Sequence, residues 1–197
     1  MSNCTSGRCY HSLMHRSGFV LVGGSSSRMG RDKALLPFHG ERLVDRIARQ
    51  VREAAGSVTL VGAAGRYTDL EYKVIEDRIP GCGPLGGIHA ALSESPAEWN
   101  LIVACDMPRL ETTFLEALLD RAEQVACDCL VPLSLPSKPE PLCAVWRRPA
   151  LVRIEAALQS GIRRMSDTLK LLNTHYWQAD PAWFANANTP QEWARHA

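Results

Sequence analysis

Apolar residues in the first two-thirds of the chain alternate between short continuous runs and helically spaced sets. The short runs, rich in β-branched and aromatic residues, predict strands at 17–22, 58–61, 72–75 and 101–105. The helically spaced sets predict helices at 41–55, 88–93 and 114–122. The run at 101–105 is apolar throughout, as expected for a strand that is buried on both faces. Alternating strands and helices predict a mostly parallel sheet with helices on both of its faces.

The last third of the chain has a less regular pattern. It predicts two paired strands, two helices, a short strand and a final helix, at 129–133, 142–146, 149–159, 162–172, 183–186 and from 189 onward. The sequence shows no internal repeat and no clear linker. We therefore expect a disordered tail at 1–16 and a single domain at 17–197.

Composition narrows the function classes. The 197 residues are 46% hydrophobic, and a chain of this length can bury a core without disulfides or metals. The chain has 22 Lys and Arg residues and 21 Asp and Glu residues, which gives a net charge of +1. This charge provides no overall attraction to nucleic acids or anionic membranes. No apolar run approaches the roughly 20 residues of a membrane helix. We expect neither nucleic acid nor a membrane as a partner.

The seven cysteines form no C-x-x-C pair, which favours reduced thiols in a cytoplasmic protein. The first seventeen residues lack the apolar core of a secretory signal. Cys4, Cys9, His11 and His15 are an alternative zinc set, but structural zinc sites use more closely spaced cysteines.

The segment 21–33 follows the first predicted strand and carries the strongest chemical signal. It contains three glycines and three serines, and Arg28, Arg31 and Lys33 place three cations within six residues. Glycine-rich turns let backbone amides approach an anion, and open α/β sheets bind ligands at the carboxyl ends of strands. The segment therefore predicts phosphate binding, with a solvated surface loop as the alternative. It is not a Walker A loop, because Asp32 precedes Lys33 and no Ser or Thr follows.

Two aspartates follow predicted strands. Asp106 ends the most apolar strand, where a carboxylate suits Mg²⁺, a hard cation that takes few protein ligands; the alternative is an ordinary turn. Asp77 follows the strand predicted at 72–75. It can accept a hydrogen bond from a ribose or a base, contact a ligand of the metal rather than the metal itself, or simply end its strand.

Residues 81–86 fit G-x-G-x-x-G, but they do not follow a strand directly, so a dinucleotide site is disfavoured. We expect a rigid loop there, with its backbone close to a nucleoside or an acceptor.

Together these motifs resemble the molybdenum cofactor guanylyltransferase family over most of the chain. The family pattern L-A-G-G-x-S-x-R-M-G-x-D-K is matched at Leu21, Gly23, Gly24, Arg28, Met29, Gly30, Asp32 and Lys33. Further matches are the segments that contain Asp77, Gly83-Pro84, Asp106-Met107-Pro108 and Asn186-Ala187-Asn188-Thr189-Pro190. The chain departs from the family at Val22, where Ala is usual, and at 61–63, where an Asn is often found.

The resemblance implies a three-layer α/β/α, Rossmann-like fold of the nucleotide-diphosphosugar transferase type. It also implies transfer of GMP from Mg·GTP to the terminal phosphate of molybdenum-molybdopterin, with release of pyrophosphate. GTP, molybdenum-molybdopterin and Mg²⁺ are then the expected ligands, and molybdoenzyme apoproteins or their chaperones are expected partners. No Ser-His-Asp or Cys-His arrangement is evident, which fits an acceptor phosphate that is already ionised.

The resemblance also assigns residues. The catalytic residues are Arg28, Lys33 and Asp106, and Asp106 binds the metal. The nucleotide-binding residues are Leu21, Val22, Gly23, Gly24, Lys33, Asp77 and Asp106. The acceptor-binding residues are Gly83, Pro84, Arg163, Arg164, Asn186 and Asn188. For Asn188 a helix cap, and for the two arginines a solvated position, are the alternatives.

Three other functions stay open. A cytidylyltransferase of the same cofactor usually carries Ala-Ala-Gly where this chain has Val22-Gly23-Gly24. A sugar-1-phosphate nucleotidyltransferase is usually longer. A non-catalytic module would bind nucleotide or cofactor and deliver it to an apoenzyme, but binding alone would not require a metal carboxylate.

Overall fold

The computed structural model describes residues 15–23, 32–79 and 81–185. Its strands are β1 (Arg16–Leu21), β2 (Pro37–Phe38), β3 (Glu41–Arg42), β4 (Thr59–Val61), β5 (Lys73–Ile75), β6 (Trp99–Ala104), β7 (Cys129–Leu135), β8 (Lys138–Pro139), β9 (Cys143–Arg147) and β10 (Thr174–Gln178). Its α-helices are α1 (Leu43–Ala55), α2 (Pro84–Glu94), α3 (Thr112–Gln124), α4 (Ala150–Gln159) and α5 (Met165–Lys170). Short 3-10 helices lie at Lys33–Leu35, Ala64–Arg66 and Pro181–Phe184.

The central sheet has the strand order β10-β7-β9-β6-β1-β4-β5, with β8 paired to β7. The neighbours β6, β1, β4 and β5 are parallel to one another. The antiparallel pairs of this sheet are β6–β9, β7–β9 and β7–β8 in the part of the chain that the structure describes. The predicted mostly parallel sheet is confirmed, and so is the predicted pairing of the strands at 129–133 and 142–146.

Alternating side chains of the central strands build a core on each face of the sheet. On one face, Val20 of β1 and Leu101 of β6 pack with α1 and α3. On the other, Phe19 and Ile102, their neighbours in sequence, pack with α2 and α4. Side chains of consecutive strand residues point to opposite faces, so one strand serves both cores. The three-layer α/β/α arrangement is therefore confirmed.

The end of the fold corrects the sequence analysis. The strand predicted at 183–186 is wrong, because Pro181–Phe184 form a 3-10 helix. The Asp180 side chain accepts a hydrogen bond from the Ala182 amide, and proline at the first helical position favours this start. The aromatic residues Trp183 and Phe184 pack against Phe114 of α3 at ring distances of 5.6 and 5.7 Å. The last described strand is instead β10, which pairs with β7.

Several predicted boundaries also shift. Helix α1 begins at Leu43 rather than 41, because Glu41–Arg42 pair with Pro37–Phe38. Helix α2 begins at Pro84, four residues before the predicted start at 88, and α5 begins at Met165 rather than 162.

Arg16 was assigned to the N-terminal tail, but it is the first residue of β1 and is paired with Trp99 of β6. The Arg16 guanidinium forms ion pairs with Asp120 and Glu123 of α3. The five cysteines within the described ranges are buried and carry no disulfide. None of the described helices is long and apolar enough to span a membrane.

Gly18 is predicted to be essential to the packing of β1 against α1. A Cβ at this position would overlap the Val51 side chain and lie 2.5 Å from the Ser57 carbonyl oxygen. We expect Gly18→Ala to lower the free energy of unfolding by about 1–3 kcal/mol, because the core must shift to accept the methyl group. Urea unfolding checks this. Gly65→Ala, where a Cβ meets nothing within 4 Å, is the control and should change stability by less than about 1 kcal/mol. Equal stability of the two variants would contradict the prediction.

Candidate active site

The candidate site lies where the chain connections diverge from the centre of the sheet. After β1 the chain passes through α1 on one face to β4, whereas β6 is reached through α2 on the other face. Neighbouring parallel strands whose connections leave in opposite directions open a crevice at their carboxyl ends, where α/β proteins bind ligands. A cavity of about 570 Å³ occupies this position, a volume typical of small-molecule sites.

Most of the described residues that the sequence predicted to be site residues line this cavity. Its predicted lining residues are Leu21, Val22, Gly23, Lys33, Asp77, Gly83, Pro84 and Asp106. Its unpredicted lining residues are Asp32, Ala34, Val61, Gly62, Gly87, Ala104, Cys105 and Leu142. Four further predicted site residues, Gly24, Arg28, Asn186 and Asn188, lie outside the described residues. Lys33 and Asp106, from distant parts of the sequence, therefore line one cavity.

Lys33 is held by the short helix that it begins. Asp32 is the N-cap of this helix, and its side chain accepts a hydrogen bond from the Ala34 amide at 3.1 Å. The capping bond satisfies a backbone donor that would otherwise have no partner at a helix start. It also fixes the backbone on both sides of Lys33, which directs the lysine toward the cavity.

Asp106 follows β6 in a largely desolvated position. Burial raises the pKa of its carboxyl above the ordinary value, while its own backbone N–H and the charge of Lys33 act in the opposite direction. Its Oδ1 atom is buried and has no hydrogen-bond partner among the described residues. A buried carboxylate oxygen of this kind is costly unless a ligand meets it. The environment of Asp106 therefore suits a bound cation.

Asp77 reaches the cavity beside the first turn of α2. Its Oδ1 accepts a hydrogen bond from the Ile79 amide at 2.8 Å. A Cβ at Gly86 would overlap the Asp77 carboxylate, so the glycine makes room for the carboxylate.

The sequence predicted that the glycine-rich stretch at 81–86 forms a rigid loop beside a ligand. The structure corrects this, because Pro84, Gly86 and Gly87 belong to α2.

Comparison with known proteins agrees with this geometry. A model of the MobA-like NTP transferase domain matches residues 18–174. The chain belongs to the MobA-like NTP transferase family. It is therefore a nucleotidyltransferase, and the family resemblance seen in its motifs is confirmed.

The relatives of this MobA-like transferase extend over most of its length. A molybdenum cofactor guanylyltransferase of Xanthomonas euvesicatoria pv. vesicatoria is 33% identical, covering 91% of this chain and 93% of its own. A probable molybdenum cofactor guanylyltransferase of Flavobacterium johnsoniae is 33% identical, covering 77% and 78% respectively.

Solved structures give the same answer for the fold. Molybdopterin-guanine dinucleotide biosynthesis protein A of Archaeoglobus fulgidus superposes with a TM-score of 0.79 at 29% identity, covering 91% of this chain and 96% of that one. The 2-C-methyl-D-erythritol 4-phosphate cytidylyltransferase of Thermus thermophilus has a TM-score of 0.71 at 15% identity, covering 93% and 97%. The second likeness concerns the fold alone and confirms the predicted nucleotidyltransferase fold.

In the MobA-like transferase, Val22 packs against a glycine that directly follows the neighbouring strand β4. Val22 is buried, and its amide donates to the Val61 carbonyl at 2.9 Å. A Cβ at Gly62 would overlap the Val22 carbonyl oxygen and lie 2.9 Å from Cγ2 of the same side chain. The two departures from the family pattern are thus in contact, and it is the backbone carbonyl of Val22 that comes closest to a Cβ at Gly62.

Two predicted acceptor residues lie apart from this cavity. Arg163 and Arg164 are exposed and are not among its lining residues within the described part of the chain. The Arg163 Nη1 atom donates to the Cys82 Sγ atom at 2.9 Å. Because Cys82 precedes Gly83, Arg163 contacts the rim of the cavity through this residue.

The residues that sequence reasoning missed differ in how visible they were. Asp32 is a residue type that commonly caps helices and stands one residue before the apolar stretch Ala34-Leu35-Leu36, so it could have been recognised. Gly62 gives a weak signal as a glycine directly after a strand. No local pattern singles out Tyr67, whose hydroxyl donates to Asp32 at 2.7 Å across 35 residues of sequence.

The fit between Gly86 and Asp77 gives a test of the site. We expect Gly86→Ala to weaken binding of a nucleoside triphosphate with Mg²⁺ about 10-fold or more, because the new methyl group displaces the Asp77 carboxylate. Thermal stability should be kept, since alanine favours the helix. Isothermal titration with Asp77→Ala and with the double variant provides the control. If the two substitutions act through the same carboxylate, the double variant binds no more weakly than Asp77→Ala; additive losses would contradict the prediction.

Proposed function

We propose that this nucleotidyltransferase transfers GMP from Mg·GTP to the terminal phosphate of molybdenum-molybdopterin. The observation that carries the proposal is the shared cavity, in which a cationic side chain, Lys33, and a buried carboxylate, Asp106, line the same space. Relatives named molybdenum cofactor guanylyltransferase, at about one-third identity over most of the chain, support the choice of both substrates.

Asp106 is the residue that would hold Mg²⁺. Its buried Oδ1 lacks a hydrogen-bond partner among the described residues, and a hard cation prefers such an oxygen together with phosphate oxygens and water. When bound, Mg²⁺ supplies positive charge that neutralises the triphosphate and favours attack by an anion.

The reaction requires stabilisation of negative charge on the phosphates more than it requires proton transfer. An oxygen of the acceptor's terminal phosphate forms a bond to the α-phosphorus of GTP, and the bond to the bridging oxygen of pyrophosphate breaks. The departing pyrophosphate keeps the electron pair, so atoms and charge balance without a general base. Lys33, together with Arg28 on the evidence of the motif, would stabilise the charge that develops on pyrophosphate.

The remaining proposed contacts divide between the two substrates. We propose that Leu21, Val22, Gly23, Gly24 and Asp77 contact the nucleotide. Gly83 and Pro84, which line the cavity, would contact the acceptor. Asn186, Asn188, Arg163 and Arg164 are proposed on the acceptor side by the family resemblance, and apoenzymes or their chaperones are proposed to receive the product.

A pyrophosphate-release assay tests the proposed function. Each of the four nucleoside triphosphates is supplied with Mg²⁺, either alone, with molybdenum-molybdopterin or with a sugar 1-phosphate. Release with GTP that depends on the acceptor is the expected result. A preference for CTP would indicate the cytidylyltransferase, and release with a sugar 1-phosphate instead would indicate the sugar nucleotidyltransferase. Tight nucleotide binding without any release would indicate the non-catalytic module.

Lys33 and Asp106 should both be required for turnover. We expect Lys33→Ala and Asp106→Asn to lower kcat about 100-fold or more, since removal of one preorganised charge-stabilising group costs roughly 3–4 kcal/mol in comparable sites. Steady-state pyrophosphate release measures the loss, and circular dichroism verifies folding. Lys170→Ala, which removes an exposed lysine paired with Asp167 on α5, is the control and should keep full activity. Near-normal turnover in either site variant would contradict its assigned role.

The acceptor assignment predicts a selective change in one Michaelis constant. We expect Arg164→Ala to raise KM for molybdenum-molybdopterin about 10-fold while leaving KM for GTP unchanged, because under this assignment the lost charge would meet only the acceptor phosphate. Arg153→Ala, on the exposed side of α4, is the matched control. An unchanged acceptor KM would remove Arg164 from the site.

A further inference from the structure

Tyr67 is a buried polar residue that no motif includes. It follows the 3-10 helix Ala64–Arg66 and is only 1% exposed. Its hydroxyl donates a hydrogen bond of 2.7 Å to Oδ2 of Asp32. A bond from a buried hydroxyl to a carboxylate is charge-assisted and therefore stronger than an ordinary neutral bond. Burial and the neighbouring Asp32 also raise the pKa of Tyr67, so the hydroxyl keeps its proton and stays a donor.

This bond completes the restraint on Asp32. One carboxylate oxygen accepts from Tyr67, and the other accepts from the Ala34 amide. Asp32 thus joins the buried tyrosine to the short helix that carries Lys33. With both oxygens engaged, the carboxylate cannot rotate without losing a hydrogen bond, so the backbone of Lys33 is fixed from two directions.

The same hydroxyl lies close to Gly23, because a Cβ at that glycine would be 3.9 Å from it. Gly23 and Asp32 are the described residues on either side of 24–31. Tyr67 therefore bonds to Asp32 on one side of the segment that contains most of the phosphate-binding motif and lies near Gly23 on the other side. The Tyr67 side chain, which follows β4 in the sequence, thus lies between the end of β1 and the start of the short helix that begins at Lys33.

We propose that Tyr67 is a positioning residue for the nucleotidyl transfer, acting through Asp32 to hold Lys33 at the triphosphate. The inference rests on the proposed role of Lys33, but it does not depend on which base the enzyme selects. Small displacements of a charge-stabilising group cost large factors in rate, so the loss of one supporting bond reaches the chemistry. Tyr67 is not a catalytic residue, because it acts on the substrate only through Asp32 and Lys33.

A purely structural role is the competing explanation, because the Tyr67 ring also packs in the core with α1. Tyr67→Phe separates the two roles, since it keeps the ring and removes only the hydroxyl. The matched control is Tyr72→Phe, which removes the hydroxyl of a half-buried tyrosine whose pKa is raised by burial and by the charge of a carboxylate, Asp45 of α1. Tyr72 is not among the described lining residues of the cavity.

The first experiment is a double-mutant cycle in the pyrophosphate-release assay with Mg·GTP and molybdenum-molybdopterin. We expect Tyr67→Phe to lower kcat about 10-fold or more and Tyr72→Phe to change it less than about 2-fold. In a Lys33→Ala background, Tyr67→Phe should cause no further loss, because the lysine through which it acts is gone. Equal losses with and without Lys33 would overturn the proposal, as would a Tyr67→Phe enzyme with wild-type kcat.

The second experiment needs no nucleotide. Trace acetylation followed by mass spectrometry compares Lys33 with the other three lysines, Lys73, Lys138 and Lys170. We expect the relative labelling of Lys33 to rise about 3-fold or more in Tyr67→Phe and to stay unchanged in Tyr72→Phe, because only the first variant releases Asp32. Unchanged Lys33 labelling would overturn the proposal. Failure of wild-type enzyme to use GTP would instead refute the proposed function, and the labelling would still decide the role of Tyr67.

Discussion

The structure depends on the parallel pairing of β1 with β6. These strands are neighbours in the sheet, but the chain continues from β1 to β4 on one side of the pair and from β6 through α3 to β7 on the other side. Their carboxyl ends therefore border one open crevice. Lys33 enters this crevice after β1, and Asp106 enters it after β6. The topology thus brings the two charged groups together before any side-chain contact is made.

Three glycines are as important to this arrangement as the charged side chains. Gly18 allows β1 to approach α1, Gly62 leaves room for Val22, and Gly86 leaves room for the Asp77 carboxylate. At Gly18 and Gly62 the atoms too close for a Cβ include backbone carbonyl oxygens, which close packing leaves little freedom to move, whereas at Gly86 they belong to the Asp77 side chain, which can be displaced. The first of these positions supports the fold, whereas the other two shape the cavity wall. The candidate site is therefore as tightly specified by its glycines as by its carboxylates.

The sequence predicted most of the sheet and half of the described lining of the cavity, but it missed features that depend on distant packing. Short apolar runs located the central strands, and the residues following them identified Lys33, Asp77 and Asp106. The strand predicted at 183–186 was wrong because aromatic residues there pack against Phe114 instead of pairing in the sheet. The Tyr67–Asp32 bond could not be predicted, since it joins segments that become neighbours only when β4 pairs with β1. Local pattern identifies the ends of strands, whereas contacts between their loops require the folded topology.

The environment of Asp106 shows how the fold balances stability against binding. A carboxylate whose Oδ1 is buried without a hydrogen-bond partner among the described residues opposes folding, because water has been removed and nothing replaces it. The charge of Lys33 offsets part of this cost. It offsets the cost only if the lysine is held in place, and the Asp32 cap and the Tyr67 hydroxyl provide that restraint. The polar groups around the cavity are thus linked in series. The buried Tyr67 holds the capping carboxylate of Asp32, Asp32 holds the helix of Lys33, and the charge of Lys33 acts on Asp106. A cation and a polyphosphate bound between the last two would complete the charge balance that the protein alone leaves unfinished.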